Sequence, residues 1–443
     1  MTLASVIIPV WNGADELPAC LDALLAQTYP AVEIVAVDNA STDGSADLIA
    51  ARYPQVKLIR HAANVGFGGA CNAGLAAAQG DPLVLLNQDT IVRPRWLAAL
   101  VDLLQAMPDA GIAGSKALYP DGTIQHAGGV IDSRGNGSHR GVREADTGAF
   151  DRPADVDYVT GASLALRRAV YTQIGGLDQD FAPVYFEDLD LCLRARAAGW
   201  RVVYAPDSVL VHAEQSVGAT ATYDGMVRFH TNRLRLVLKH WSAARLVDEF
   251  RPAEAAWLAT LSEGGEQLVA VVHQAYLTHL LNLGELARHR QALLGEIADE
   301  MECVAQVLLT LRAVYPLGVV GGEGPQGAQA IPALADMDAL AHLRPQPFRS
   351  SVPLIGPLIA AFRTQWNRVA TEWYLHPILR QQTRFNDAVT EALRQAMDAR
   401  QQDAHHRQRQ AEVLAAYLAG QAREIGALTQ EVARLKAKLT QQE

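Results

Sequence analysis

Apolar and polar positions come in alternating blocks along the first half of the chain. Ala4–Val10 and Glu33–Val37 are short β-rich runs that end in polar turns. Between them, Ala14–Gln27 places Leu17, Cys20, Leu21, Leu24 and Leu25 at helical spacing. The same reading predicts strands at Lys57–Arg60 and Leu83–Leu86, helices at Asn72–Gln79 and Trp96–Met107, and a further strand from Gly111 to Ser115. Strands alternating with helices predict an α/β domain, a mostly parallel sheet with helices on both faces. Ligands of such sheets sit beyond the carboxyl ends of the strands. Three polar strand ends should therefore face one crevice: Pro9-Val10-Trp11-Asn12, Val37-Asp38-Asn39 and Asn87-Gln88-Asp89.

Beyond this block, residues 116–157 are rich in Gly, Asp and Arg and read as an irregular insertion. Tyr158–Leu166 then predicts a strand, Arg168–Ile174 a helix, and residues 202–212 a strand pair around a turn at Pro206-Asp207. The pattern changes near residue 242. A first domain over 1–241 is expected to give way to an α-helical region over 242–315, a Gly/Pro-rich linker over 316–344 and a Trp- and Pro-containing amphipathic helical segment over 345–400. Arg349, Arg363, Arg368 and Arg380 stand among apolar residues in that segment, which suits either a peripheral membrane contact or a helical layer packed on protein. Residues 404–443 carry Leu414, Leu418, Gln421, Ile425, Leu428, Val432, Leu435 and Leu439 at alternating spacings of four and three. That is the seam of a coiled coil, so an oligomer through the C-terminal segment is expected.

Totals narrow the classes. With 443 residues, 49% hydrophobic and 19% charged, the chain is globular and long enough for two or three domains. A formal charge of −10 argues against nucleic acid as the main partner. The four cysteines, Cys20, Cys71, Cys192 and Cys303, are far apart and form no CxxC pair, which fits a reduced, cytoplasmic compartment. MTLASVIIPVWNG lacks a basic start and is broken by Pro9, so it reads as a first strand rather than a secretion signal. No apolar stretch is long enough to span a bilayer, and the expectation is a soluble or peripheral protein.

The candidate chemistry lies in four segments. Asp38 follows an apolar strand and can accept from a base or ribose, whereas Ser41 and Asp43 are well placed as turn and cap residues. Asn64-Val65-Gly66-Phe67-Gly68-Gly69-Ala70-Cys71-Asn72 is not a dinucleotide fingerprint, because Cys71 stands where GxGxxG needs its third glycine. Its glycines still let backbone approach a phosphate or sugar closely. Asn87, Gln88 and Asp89 end the fourth strand. Finally, Glu187, Asp188 and Asp190 crowd three carboxylates among Phe186, Leu189, Leu191 and Leu193, so at least one is expected to be partly buried and its pKa tuned.

Taken in order, SVIIPVWNG, VAVDNASTDGS, NVGFGGACNAG, LLNQDT, GGLDQDFAPVYFEDLDLCLRARAAGW and VVYAPDSVLVH resemble the motifs of the inverting glycosyltransferases of family 2, which have the GT-A fold. The resemblance covers about residues 4 to 240 and is greatest to the rhamnosyltransferase-like branch. It implies that Asp89 is the last carboxylate of the family's Asp-x-Asp metal motif, with Asn87 departing from it at the first position. It also implies His212 as a second metal ligand, Mn²⁺ or Mg²⁺ as the ion, Asp188 as the catalytic base and Glu187 as a residue positioning donor or acceptor. Asp190 would cap or orient the helix that carries Asp188. Pro9, Trp11, Asn12, Asp38, Ser41, Asn64, Gly66, Asn72, Asn87, Gln88 and Asp89 would make up the nucleotide-sugar site. The implied donor is dTDP-rhamnose or a UDP-hexose, and the implied acceptor a growing cell-surface or lipid-linked glycan at the inner face of the membrane. An alternative is a catalytically weak glycosyltransferase-like scaffold. Nucleotidyl transfer fits less well, because the acidic Trp11-Asn12-Gly13-Ala14-Asp15-Glu16 stands where that chemistry needs a glycine- and Arg/Lys-rich loop.

Overall fold

A computed structural model describes residues 2–213, 222–261, 266–294 and 298–314. The linker, the Trp- and Pro-containing segment and the coiled-coil seam all lie outside the described residues. The chain divides into two compact units, Met1–His279 and Leu280–Glu443. The first unit thus runs past residue 241 and takes in helices that the sequence groups with the second half.

In chain order the first unit contains β1 (Ala4–Val10), α1 (Leu17–Leu25), β2 (Val32–Asp38), α2 (Ser45–Arg52), β3 (Lys57–Arg60), α3 (Gly66–Ala77), β4 (Leu83–Leu86), β5 (Thr90–Val92) and α4 (Trp96–Ala106). There follow β6 (Ala110–Leu118), β7 (Ile124–His126), β8 (Gly129–Ile131), β9 (Gly137–His139), β10 (Ala154–Asp155), β11 (Ser163–Leu166) and α5 (Arg168–Ile174). Then come α6 (Glu187–Ala197), β12 (Arg201–His212), α7 (Tyr223–His240), α8 (Ala243–Arg245), a π-helical turn at Leu246–Phe250, α9 (Arg251–Thr260) and α10 (Glu266–Leu281), whose last two residues fall past the first unit's end. Described helices of the second unit are α11 (Leu283–Leu294) and α12 (Ala298–Val314), where Arg290 pairs with Glu300.

The main sheet has the order β10-β12-β6-β11-β4-β1-β2-β3, with β5 on β12 and β7 on β6. It is mixed rather than mostly parallel. β1, β2, β3 and β4 pair in parallel, as do β6 and β12, but β11 runs antiparallel between β4 and β6, and β5, β7 and β10 add antiparallel pairs. A buried antiparallel strand has the same unbroken apolar composition as a buried parallel one, so the direction of β11 is not readable from its residues. Because β11 reverses the direction twice over, β6 and β12 run the same way as β1. The ends of β1, β2, β4 and β12 therefore lie along one edge.

Pleating divides the strand side chains between two cores. Val6, Ile8, Val10, Val84 and Leu86 face α1 and α4, while Ile7, Leu83 and Leu85 face α3 and α6. Close approach on the second side needs glycine: a Cβ on Gly74 of α3 would come within 2.2 Å of Ile7 Cγ2 on β1. The glycine-rich stretch before Asn72 is thus the first turn of the helix and not a loop leading into it. The fully buried Trp96 donates its indole N–H to Ser115 Oγ (2.9 Å) and Ser163 Oγ (3.0 Å), stitching α4 to β6 and β11.

Two expectations change here. Residues 201–212 form one strand and not a pair, because Pro206-Asp207 sits in a bulge where the register on β6 shifts between Ala205 and Val209. Proline has no N–H to give the ladder and is accommodated at such a bulge. The segment 116–157 is also more ordered than its composition suggests, since it supplies β7, the β8–β9 hairpin and β10.

The hairpin turn is fastened from behind. Glu254 of α9 receives Arg233 of α7 through both carboxylate oxygens (2.5 and 2.9 Å), Arg134 of the turn (3.1 Å) and the Tyr276 hydroxyl of α10 (2.9 Å). Arg233 also donates to the Arg134 carbonyl at 2.6 Å. Arg233 and Glu254 are fully buried. Glu254→Ala is therefore expected to destabilise the first unit by about 3–5 kcal/mol, since it leaves a buried guanidinium unpaired. Chemical denaturation followed by circular dichroism measures this, and a change within about 0.5 kcal/mol, the range of ordinary surface substitutions, would refute it.

Candidate active site

The crevice floor begins where β1 and β2 end. Trp11 is 56% exposed, and its backbone is clipped by Gln88, whose Oε1 accepts from Trp11 N–H (2.9 Å) and whose Nε2 donates to the Trp11 carbonyl (3.2 Å). Asn12 adopts a left-handed conformation (φ 48°) and accepts from the Thr42 N–H through Oδ1 at 2.8 Å, while its own N–H donates to Ser41 Oγ at 3.0 Å. Asn39 Nδ2 donates to Asn64 Oδ1 (2.9 Å) and to the Gly66 carbonyl (3.1 Å), and Asn39 Oδ1 accepts from Val65 N–H. Asn72 bonds both ways to the Leu177 backbone, at 2.7 and 2.8 Å. Gln88, Ser41, Asn64 and Asn72, which the sequence assigns to ligand binding, thus hold the walls through their own hydrogen bonds. Gly66 lies at φ 79° against Pro183, where a Cβ would come within 3.1 Å of backbone. Pro9 is half-buried at the end of β1, and Asp38 is a buried carboxylate at the end of β2 whose Oδ1 takes a long 3.4 Å bond from Ser41 N–H.

One edge of the crevice holds Asp89 and His212. His212 Nε2 lies 3.2 Å from Asp89 Oδ1, and His212 Nδ1 lies 2.8 Å from Gln125 Oε1. With the Gln125 amide oxygen turned to Nδ1, that nitrogen is placed as the donor, and Nε2 is the ring nitrogen that faces the carboxylate. At this separation either a proton on Nε2 or a metal cation between the two atoms would satisfy the pair. Among the described residues the buried Asn87 Oδ1 has no hydrogen-bond donor. The imidazole at the end of β12, with the carboxylate and the amide oxygen that follow β4, offers donor types that fit a divalent ion.

The other edge is the start of α6. Tyr185 and Phe186 are both left-handed (φ 84° and 74°), a strain of order 1–3 kcal/mol each. Asn232 of α7 holds this turn by donating from Nδ2 to the carbonyls of Phe181, Val184 and Tyr185 at 2.8–3.1 Å, and Phe229 packs edge-on against both rings. The turn aims Asp188 back at the sheet. Its Oδ2 accepts from Gly161 N–H (2.8 Å) and its Oδ1 from Leu189 N–H (2.9 Å). Burial pushes the Asp188 carboxyl above its ordinary value, although those two N–H groups and His139 pull the other way. Glu187 is 5% exposed, its Oε2 has no partner among the described residues, and burial together with the Asp188 charge raises it well above the usual range.

Asp190 does not cap the helix, as the sequence suggests it could, since the N-cap position is Phe186. It is buried beneath the helix, receiving Arg194 Nε (2.7 Å), Lys239 Nζ (2.6 Å) and His240 Nε2 (2.7 Å). Burial alone would raise its carboxyl. The His240 hydrogen bond and the Arg194 and Lys239 charges outweigh that and hold it well below the ordinary range.

The two edges are joined. Asn87 N–H donates to the Ala162 carbonyl at 3.0 Å, one residue from the amide that holds Asp188. On the far side, the Gln125 carbonyl lies 3.2 Å from His139 Nδ1, which is 3.1 Å from His126 Nδ1, and His139 acts electrostatically on Asp188. Sequence reasoning missed Gln125, His126, His139, Gly161 and Asn232. The first three lie on strands three residues long, too short for any period to register, and Asn232 is one polar residue in a helix of eighteen.

Residues 5–174 match the family model described as glycosyl transferase family 2. The chain is 30% identical over 239 residues to an N-acetylglucosaminyl-diphospho-decaprenol L-rhamnosyltransferase of Mycobacterium tuberculosis, covering 48% of this chain and 77% of that protein. It is 34% identical over 222 residues to the O-antigen biosynthesis protein RfbC of Myxococcus xanthus, covering 48% of this chain and 17% of that protein. It is 34% identical over 239 residues to the uncharacterized protein y4gI of Sinorhizobium fredii, covering 51% of this chain and 26% of that protein. The matched region thus spans most of the first relative and only a small part of the other two.

The carboxylates at the start of α6 make a pH prediction with a definite sign. A carboxyl raised on folding adds stability that is full below its ordinary pKa and is lost as pH rises through the folded value. Glu187→Gln is therefore expected to raise the unfolding midpoint at neutral and alkaline pH, with the gain vanishing near the ordinary glutamate value of 4.5. Asp190, which is lowered, contributes in the opposite sense: its stabilisation is present above the ordinary carboxylate range and is lost as pH falls below it. Thermal melts of wild type and Glu187→Gln across pH test this, and a variant that is equally or less stable at neutral pH would overturn it.

Proposed function

The chain belongs to glycosyl transferase family 2, and from that premise we propose that its first unit moves a sugar from a nucleoside-diphosphate donor to an acceptor hydroxyl with inversion. The observation that carries the reading is the placement of Asp188. It is a half-buried carboxylate whose pKa is raised, set just after a strained turn and tied through Gly161-Ala162 to the strand end that bears Asn87 and Asp89.

Asp188 takes the acceptor proton as the hydroxyl attacks. A base whose pKa lies nearer the working pH is the more effective one, and burial moves Asp188 in that direction. One base and one displacement imply inversion at the anomeric carbon. Glu187, buried beside it and inclined to keep its proton, positions a sugar hydroxyl. Asp38, with Pro9, Trp11 and Asn12 around it, receives the nucleoside. Asp89 and His212 would hold a divalent ion, Mn²⁺ or Mg²⁺, which when bound supplies Lewis-acid neutralisation of the departing diphosphate. The fold is read as the GT-A type. The relatives are named for rhamnosyl transfer to a lipid-linked diphosphosugar and for O-antigen biosynthesis. By analogy we propose rhamnose as the first sugar to test and a cell-surface or lipid-linked glycan as acceptor. Among the described residues no helix is long and apolar enough to cross a membrane.

Asp188→Asn is expected to lower transfer by roughly two to four orders of magnitude while leaving calorimetric binding of the nucleoside diphosphate with Mn²⁺ nearly intact. Near-wild-type turnover by this variant would refute the assignment of the base. Asp89→Ala should abolish metal-dependent nucleotide binding, and His212→Ala should weaken it less. A donor screen with dTDP-rhamnose, UDP-galactose, UDP-glucose and GDP-mannose, with and without chelator, tests sugar and ion together. Activity unchanged by chelator would refute the ion.

A further inference from the structure

Gln125 belongs to no catalytic motif, yet it touches both edges of the crevice. It is buried on the three-residue strand β7. Its side-chain Oε1 lies 2.8 Å from His212 Nδ1, and its main-chain carbonyl lies 3.2 Å from His139 Nδ1. A neutral imidazole carries one proton and can place it on either nitrogen. His212 Nε2 faces Asp89 Oδ1 at 3.2 Å, so with no acceptor at Nδ1 the proton would go to Nε2 and the pair would close on itself as a hydrogen bond. The amide oxygen of Gln125 supplies the competing acceptor.

We propose that Gln125 is a positioning residue that keeps a proton on His212 Nδ1, so that Nε2 is the nitrogen left to meet a cation beside Asp89. The inference rests on the proposed metal role of His212, but its central statement concerns the proton and can be read without metal. An outer-sphere partner of this kind commonly sets the tautomer of a ligating histidine and is worth roughly 10–100-fold in metal affinity. The main-chain bond to His139 is independent of the side chain at position 125. A substitution there therefore alters the His212 edge and leaves the His139–Asp188 edge in place.

The test uses the full chain and three variants. Gln125→Leu removes the acceptor at similar volume, Gln125→Glu keeps it, and His212→Ala identifies the His212 signal by its loss. In ¹⁵N-detected imidazole spectra of metal-free protein at mildly alkaline pH, Nδ1 of His212 should be protonated in wild type and in Gln125→Glu. It should be unprotonated, with the proton on Nε2, in Gln125→Leu. Mn²⁺ binding in the presence of UDP or dTDP, read by electron paramagnetic resonance of the free ion, should weaken by about tenfold or more in Gln125→Leu and be kept in Gln125→Glu. Thermal melts establish that each variant is folded. An unprotonated Nδ1 in wild type, or a protonated one in folded Gln125→Leu, would overturn the proposal. So would wild-type Mn²⁺ affinity in Gln125→Leu. A wild-type protein that binds no Mn²⁺ yet shows the protonated Nδ1 lost in Gln125→Leu would uphold the proton assignment and sink the metal reading instead.

Discussion

One buried carboxylate carries the geometry of the crevice. Asp190 lies under the first turns of α6 with Arg194, Lys239 and His240 around it, and two of those partners come from α7. The same α7 supplies Asn232, which holds three carbonyls of the turn leading into α6. Removing the charge at Asp190 would leave Arg194 without its carboxylate and Lys239 with Asp178 alone, a larger loss than any one hydrogen bond. The left-handed pair Tyr185-Phe186 is unfavourable on its own and persists because both of its flanks are fixed in this way. Asp188 owes its direction to that strain.

Three carboxylates within four residues therefore behave in three ways, and environment makes the difference. Asp190 is buried among cations and gives up its proton readily. Asp188 is half-buried against two amide N–H groups, which partly offset the desolvation of its charge. Glu187 is buried with an oxygen that has no partner among the described residues, and it resists ionisation most clearly. Carboxyls whose surroundings push their pKa values apart can divide the work of one site, with one accepting a proton while another stays neutral and donates.

The sequence made the carboxyl-end crevice legible because β1, β2 and β4 are buried on both faces and end abruptly in polar residues. An apolar run that stops at Asp38 or Asn87 marks where the layer ends, whatever the direction of its neighbours. What stayed hidden has physical reasons. The direction of β11 leaves no trace in composition, and Pro206-Asp207 signals a turn equally well whether the chain reverses or bulges. In the site, the motif residues Asp89, Glu187, Asp188 and His212 were visible as chemistry. Several of the polar residues around them proved to hold backbone: Gln88 on Trp11, Asn72 on Leu177 and Asn64 on Gly66. An amide side chain looks the same in sequence whether it faces a ligand or a loop.

The contacts around the crevice form a circuit. Asp89 meets His212, His212 meets Gln125, and the Gln125 carbonyl meets His139, whose charge acts on Asp188. Asp188 returns through the Gly161 amide and the Ala162 carbonyl to Asn87, two residues from Asp89. A nucleophile's base and a leaving group's counter-charge must be held at a fixed separation, because catalysis by positioning fails when either drifts by about 1 Å. A single connection would leave a hinge between the two edges. A hydrogen-bonded link through the lead into β11 and an electrostatic one through β7 and β9 both join the edges, and neither passes through the ends of β1 and β2, where we propose that the nucleoside binds. On the proposed reading, substrate preference can then vary at Trp11 or Asn12 without disturbing the distance on which the chemistry depends.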